Sequence, residues 1–190
     1  MNNKIRAWHQ ERIEVRILKS AANLNTNKKV LEIGCGNGFG TYLIWKYFQP
    51  REIQAIDLDP RMIRRARKRY GSIAHFKVAS VTDLPFSDDQ FDAVINFGII
   101  HHVPIWEKAI EECARVLKHK GKFISEDLAK ETWRTPIGRL FKLLADHPYD
   151  LMYKISEFTS ALKRNNFQLK YFQLKYPHIF PFFSLVAIKQ

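Results

Sequence analysis

The stretch "VLEIGCGNGFG", residues 30–40, sets Gly34, Gly36, Gly38 and Gly40 at alternate positions directly after an apolar run. The segment "KVLEIGC" (29–35) is short and almost continuously apolar, as expected of a parallel strand buried on both faces. "TYLIWKYF" (41–48) reads as a helix that ends before Pro50. Strand, glycine turn and helix make the first unit of an α/β fold. So bare a turn serves either tight helix–strand packing or close approach of a ligand to the backbone.

The alternation continues along the chain. Strands are expected at 52–58, 73–79, 91–98 and 121–128, with helices starting at Pro60 and covering about 104–117. Repeated β-then-α units predict an open, mostly parallel sheet with helices on both faces. An opening helix over 4–23 would bury Ile13, Ile17, Leu18 and Ala21, and in "RMIRRARKRY" (61–70) the stripe would be Met62, Ala66 and Tyr70. Residues 129–165 read as helical and irregular, with Pro136, Gly138 and Pro148 as breakers. "FQLKYFQL" (167–174) and "FSLVAIK" (183–189) then form an antiparallel pair at one edge. With no linker, repeat or low-complexity tract, residues 1–190 are expected to form one domain.

Composition bounds the partners. The net charge is +12, which points either to a solubilising lysine-rich surface, the reading favoured here, or to an anionic partner such as RNA, an acidic metabolite or an anionic lipid surface. Two cysteines, Cys35 and Cys113, suit neither a disulfide framework nor a zinc site, so reduced thiols and a cytoplasmic location are expected. No histidine pattern suggests a metal site. The N-terminus is charged throughout, and the most apolar run, "IFPFFSLVAI" (179–188), is too short for a transmembrane segment and is broken by Pro181 and Ser184.

The glycine spacing excludes two ligands. No Gly-Lys-Ser/Thr ending follows Gly34, so the turn is not a phosphate-binding P-loop. The dinucleotide fingerprint needs glycine at 39, where phenylalanine stands. Glu32 precedes the turn, and Asp57 closes the second strand, 19 residues after Gly38. A strand-end carboxylate can accept from both hydroxyls of a ribose diol. Asp59, before Pro60, reads instead as a helix cap. Glycine turn and second-strand acid together predict a nucleoside held across the ends of the first two strands.

Four segments, "VLEIGCGNGFG", "IQAIDLDPRMI", "LPFSDDQFDAVINFGIIHHV" and "ARVLKHKGKFI", occur in an order and spacing that resembles the class I S-adenosylmethionine-dependent methyltransferases, most closely the type 11 group. The resemblance covers residues 28–128. It implies a Rossmann-like, doubly wound sheet of about seven strands, mostly parallel with an antiparallel last strand. It also implies S-adenosylmethionine as cofactor and S-adenosylhomocysteine as product. By this resemblance Gly34, Cys35, Gly36 and Gly38 approach the methionine part and Glu32 orders that loop and the cofactor's amino group. Asp57 binds the ribose, Leu58 and Met62 pack near the adenine, and Asn96 and Phe97 line the methionine end. Ser80 stands where the family often has an aspartate against the adenine, so adenine recognition would fall to backbone groups near Val81. The usual "KPGG" turn is "KHKG" (118–121), a structural change.

Candidate bases near the strand ends are His101, His102, Glu126 and Asp127, with the histidines the natural choice if the acceptor carries a proton. The N-terminal helix (1–27) and the segment 129–165 are expected to cover an acceptor pocket, in which Trp8, Trp133, Tyr149 and Tyr153 would sandwich a planar substrate. A small-molecule acceptor is the favoured reading. RNA methylation and a non-catalytic, cofactor-binding regulatory subunit are the alternatives.

Overall fold

The computed structural model describes residues 10–131, 152–175 and 182–190. Seven strands, β1 (Lys29–Ile33), β2 (Glu52–Asp57), β3 (His75–Val78), β4 (Phe91–Phe97), β5 (Leu117–Asp127), β6 (Phe167–Lys175) and β7 (Phe182–Lys189), form one sheet in the order β3-β2-β1-β4-β5-β7-β6. The first five run parallel, and β7 lies antiparallel between β5 and β6. The expected edge pair is present, with the last strand on its inner side.

Helices α1 (Val15–Ala22), α2 (Phe39–Phe48) and α3 (Pro60–Tyr70) cover one face, α4 (Trp106–Val116) and α5 (Ile155–Arg164) the other. Each face has its own core. Val30, Ala55, Ala93 and Ile95 meet Leu18, Ile44 and Ile63, whereas Leu31, Val94 and Phe123 meet Ile110 and Phe158. Alternate residues of each central strand serve opposite layers, which is why those strands are apolar throughout.

The buried stripes are turned from those expected. In α1 they are Val15, Leu18 and Ala22, with Ile17 and Ala21 only partly covered; in α3, Ile63 and Ala66 are buried while Met62 and Tyr70 are half-exposed. A shift of one residue rotates a helical face by about 100°. Asp59 caps α3 as expected, its side chain accepting from Arg61 N. Arg115 ties α4 to the loop before β4, bonding Glu112, Asp88 and the carbonyls of Leu84 and Phe86. β5 begins earlier than expected because it bulges: Phe91 and Ala93 of β4 face Leu117 and Lys122, leaving Lys118–Gly121 to loop out.

Candidate functional site

The order of strands reverses direction between β1 and β4, and in an open parallel sheet the crevice at the carboxyl ends of such strands is where ligands sit. The loops after β1 and β4 touch there. A Cβ added to Gly34 would fall 2.4 Å from Ile99 Cγ1, so this glycine permits loop-on-loop packing. Gly38 is bare for a related reason, since an added Cβ would lie 2.7 Å from the Tyr70 ring and 3.1 Å from Ala66. Gly36 differs. It has φ +52° and nothing within 4 Å of an added Cβ, so its peptide borders open space. Gly40, to which the sequence reading gave no role, abuts Glu32 and Phe97: an added Cβ would come within 2.2 Å of Glu32 Oε1.

Two carboxylates frame this loop. Glu32, at 1% exposure, accepts a hydrogen bond from Thr41 Oγ1 in the first turn of α2. Burial, and then the nearby Asp57 charge, push its pKa up to about 8 despite the Thr41 hydroxyl. Asp57 ends β2 and holds two loops at once. Oδ2 accepts from Gly36 N at 2.8 Å, and Oδ1 from Asp59 N at 2.9 Å. Each carboxylate oxygen has a second lone-pair direction beyond these bonds. Next to it Leu58 is 72% exposed, an apolar side chain beside polar loops, and Met62 is half-buried. Cys35 sits in the core with its thiol pKa pushed up by burial and by Glu32 and Asp57, so only its backbone belongs to the loop.

At the adenine end expected from the resemblance, Ser80 Oγ is bonded to Thr82 Oγ1 at 2.8 Å and receives Thr82 N at 3.2 Å. Val81 is buried in the core, which leaves its backbone as the group facing the loop. Phe97 is half-buried against Gly40.

The end of β4 holds a second constellation. Asn96 is fully buried and donates from Nδ2 to Ser125 Oγ (2.9 Å) and Asp127 Oδ2 (2.7 Å), while its Oδ1 accepts from Ile99 N (2.9 Å). Its side chain therefore turns toward β5, so only its backbone is left to line the cofactor position expected from the sequence. Asp127, fully buried, also receives Ile100 N (3.0 Å) and Leu128 N (2.8 Å) and pairs with His101 Nδ1. Burial alone raises the Asp127 pKa, but the His101 charge and the bonds from His101, Asn96 and Leu128 N outweigh it and hold the group below its ordinary value. An ionised carboxylate can only accept, so His101 Nδ1 donates to it.

The four candidate bases therefore differ. His101 is buried and paired with Asp127, His102 is exposed, and Glu126 and Asp127 are wholly buried. Tyr153 is not an acceptor-sandwiching ring. It is 1% exposed and packed on Trp106 and Phe158. Burial and the Asp127 charge raise its pKa. Trp8, Trp133 and Tyr149 lie outside the described residues. No helix among the described residues is long and apolar enough to cross a membrane.

Fold and site together define a Rossmann-like protein in which the glycine loop, Glu32 and Asp57 gather at the carboxyl ends of β1 and β2. A family model described as a methyltransferase domain matches residues 31–125, half of the chain. The chain belongs to this family, the type 11 group of the class I S-adenosylmethionine-dependent methyltransferases. It is similar to a fatty-acid O-methyltransferase of Mycolicibacterium smegmatis (34% identity over 126 residues, 66% of this chain and 45% of the relative). It is also similar to a phthiotriol/phenolphthiotriol dimycocerosates methyltransferase of Mycobacterium leprae (30% over 112 residues, 58% of this chain and 42% of the relative). The chain spans less than half the length of these relatives. In fold it resembles a SAM-dependent methyltransferase from Methanosarcina mazei, with TM-score 0.74 and 23% identity over 87% of this chain and 94% of the other.

Proposed function

We infer that this chain transfers the methyl group of S-adenosylmethionine to a hydroxyl of a small, lipid-like acceptor, with His101 as general base. The observation that carries the base is the His101–Asp127 pair at the carboxyl ends of β4 and β5. The lipid class is supported by the relatives named for a fatty acid and for phthiotriol dimycocerosates. The cofactor supplies a methyl already activated on a sulfonium, so the protein's work is alignment, exclusion of water and removal of one proton.

The described residues fit such a group. The peptide of Gly36 borders open space, as a methionine tail laid along the loop requires. The second lone-pair directions of Asp57 suit the two ribose hydroxyls, and Leu58 and Met62 offer apolar surface to a purine. Ser80 is engaged with Thr82, so the backbone near Val81 would read the adenine edge. The backbones of Gly34, Cys35, Gly38 and Asn96, with the Phe97 ring, would complete the wall. When bound, the cofactor would supply a methyl whose bond to sulfur is released with its electrons to the sulfonium; His101 Nε2 would take the acceptor's proton, and Asp127 would stabilise the resulting imidazolium. Of the segments expected to cover the acceptor, residues 1–9 and 132–151 lie outside the described residues.

The test pairs calorimetry using S-adenosylhomocysteine with labelled-methyl transfer to hydroxylated lipids and free fatty acids. His101→Asn should lower turnover on hydroxyl acceptors by about 10²–10⁴-fold while leaving cofactor affinity unchanged. Transfer only to carboxylates, indifferent to His101, would sink the base. Failure to bind S-adenosylhomocysteine at millimolar concentration would sink the methyltransferase reading.

A further inference from the structure

At the amino ends of the strands, away from the crevice, the bulge in β5 opens a second cavity. It has a volume of about 240 Å³ and is lined by Asn23, Asn25, Lys28, Lys118, Lys120 and Lys122, with Asp92 as the one acid. That is about eight times the 30 Å³ share of a water molecule in the liquid. Lys122 and Asp127 lie five residues apart on β5, roughly 17 Å at strand rise, so this cavity is separate from the crevice.

Three observations point to an anion. Asp92 is shared: it accepts from Lys118 Nζ at 3.1 Å, lies 3.7 Å from Lys28 Nζ and also receives Lys29 N at 2.8 Å. One carboxylate thus faces two ammonium groups and a backbone N–H. Lys122 donates to the carbonyls of Ala22 (2.7 Å) and Asn23 (2.9 Å), and burial followed by repulsion from Lys28 and Lys19 pushes its pKa down. Lys120 has φ +59°, the left-handed region where glycine is favoured, so a cation stands in the bulge at a backbone cost.

We propose that this lysine-lined cavity binds a phosphate group carrying more than one negative charge, either from a free diphosphate or from an anionic lipid headgroup. Such a ligand would supply the negative charge that Asp92 alone does not, with Asn23 and Asn25 as further donors. Titration of the full chain with inorganic pyrophosphate at low salt should show binding that weakens as salt rises. Lys28→Gln and Lys120→Gln should each weaken it at least tenfold, while Lys68→Gln on the basic face of α3 and the affinity for S-adenosylhomocysteine stay unchanged. Flotation with phosphatidic acid vesicles, whose phosphomonoester headgroup can carry two negative charges, against phosphatidylcholine controls, separates the sources: capture lost in the same two variants assigns the lipid headgroup. The site is overturned if neither pyrophosphate nor anionic vesicles bind, or if Lys68→Gln weakens binding as much as the cavity variants do.

Discussion

The two ends of the central strands are electrostatic opposites. At the carboxyl ends stand Glu32, Asp57, Glu126 and Asp127; at the amino ends stand Lys28, Lys118, Lys120 and Lys122 around Asp92. The net charge of +12 is therefore not spread evenly. Two of the acids are held by backbone N–H groups, Asp57 by Gly36 and Asp59, and Asp127 by Ile100 and Leu128. The lysines lean on two main-chain carbonyls and a shared carboxylate. On the two proposals above, one end receives a cation such as a sulfonium or an ammonium, the other an anion. Composition alone pointed only to the second.

The largest effect that would break this contrast lies at Glu32. Moving a carboxyl pKa from 4.5 to about 8 corresponds to roughly 5 kcal/mol of preference for the protonated form. The folded state then binds more protons than the unfolded one between those values, so stability falls as pH rises from 4.5 to 8. Glu32→Gln, which keeps an acceptor for Thr41, should flatten that slope in urea melts taken across the range. Because a cofactor ammonium would favour the ionised form, S-adenosylhomocysteine binding near pH 7 should release protons, seen in calorimetry by changing the buffer's ionisation enthalpy. A wild-type stability flat over this range would mean that Glu32 is ionised in the free protein.

Asp127→Ala comes next. It strips His101, Asn96, Ile100 N and Leu128 N of their shared acceptor and should cost about 3–5 kcal/mol, measured by denaturant melts. The sign with pH is opposite to that of Glu32. Asp127 is held below its ordinary value, so its contribution is present above that value and is lost as pH falls through the folded one. Asp127→Asn, closer in shape, should fold better and still lose turnover, because the proposed base would lose its ionised partner.

These two groups also mark what was legible in the sequence. The strand–turn–helix rhythm, Asp59 as a cap and Asp57 as a strand-end acid followed from local pattern, and local pattern is what burial and capping write into a chain. The His101–Asp127 pair was not readable, because its members are 26 residues apart and meet only through the β4–β5 register that sets Asn96 beside Ser125. The glycines looked equivalent for the same reason. Only packing partners distinguish Gly34 and Gly38, pressed on Ile99 and Tyr70, from Gly36, which borders open space. Met62 was misplaced by one step, with Ile63 buried instead, in a helix whose arginines outnumber apolar residues and blur the stripe; Ala66 and Tyr70 meet the core as expected.

Asp57→Ala should weaken S-adenosylhomocysteine binding by about 1.5–3 kcal/mol, the range for hydrogen bonds to a charged group. The variant also frees Gly36 N and Asp59 N, so the comparison should include Asp57→Asn, which can keep one backbone bond while losing the charge. Unchanged affinity in both, with the fold intact, would move the ribose elsewhere and leave the acids at this end without their expected ligand.

The smallest effect tests the opposite end. Lys120 pays a backbone cost at φ +59° that glycine would not, so Lys120→Gly should raise stability by about 0.5–1 kcal/mol in thermal or urea melts. If the lysine is there only as one more solvating charge, the variant gains stability and pyrophosphate affinity does not change. If the cation serves the cavity, stability and affinity move in opposite directions: the chain becomes more stable and the anion binds less tightly. Such a trade would tie the departure from the family's glycine turn to function at the amino ends of the strands, leaving the crevice chemistry untouched. Loss of stability instead would mean that the Lys120 side chain makes up for its backbone strain within the bulge, and the two ends would differ in charge without differing in purpose.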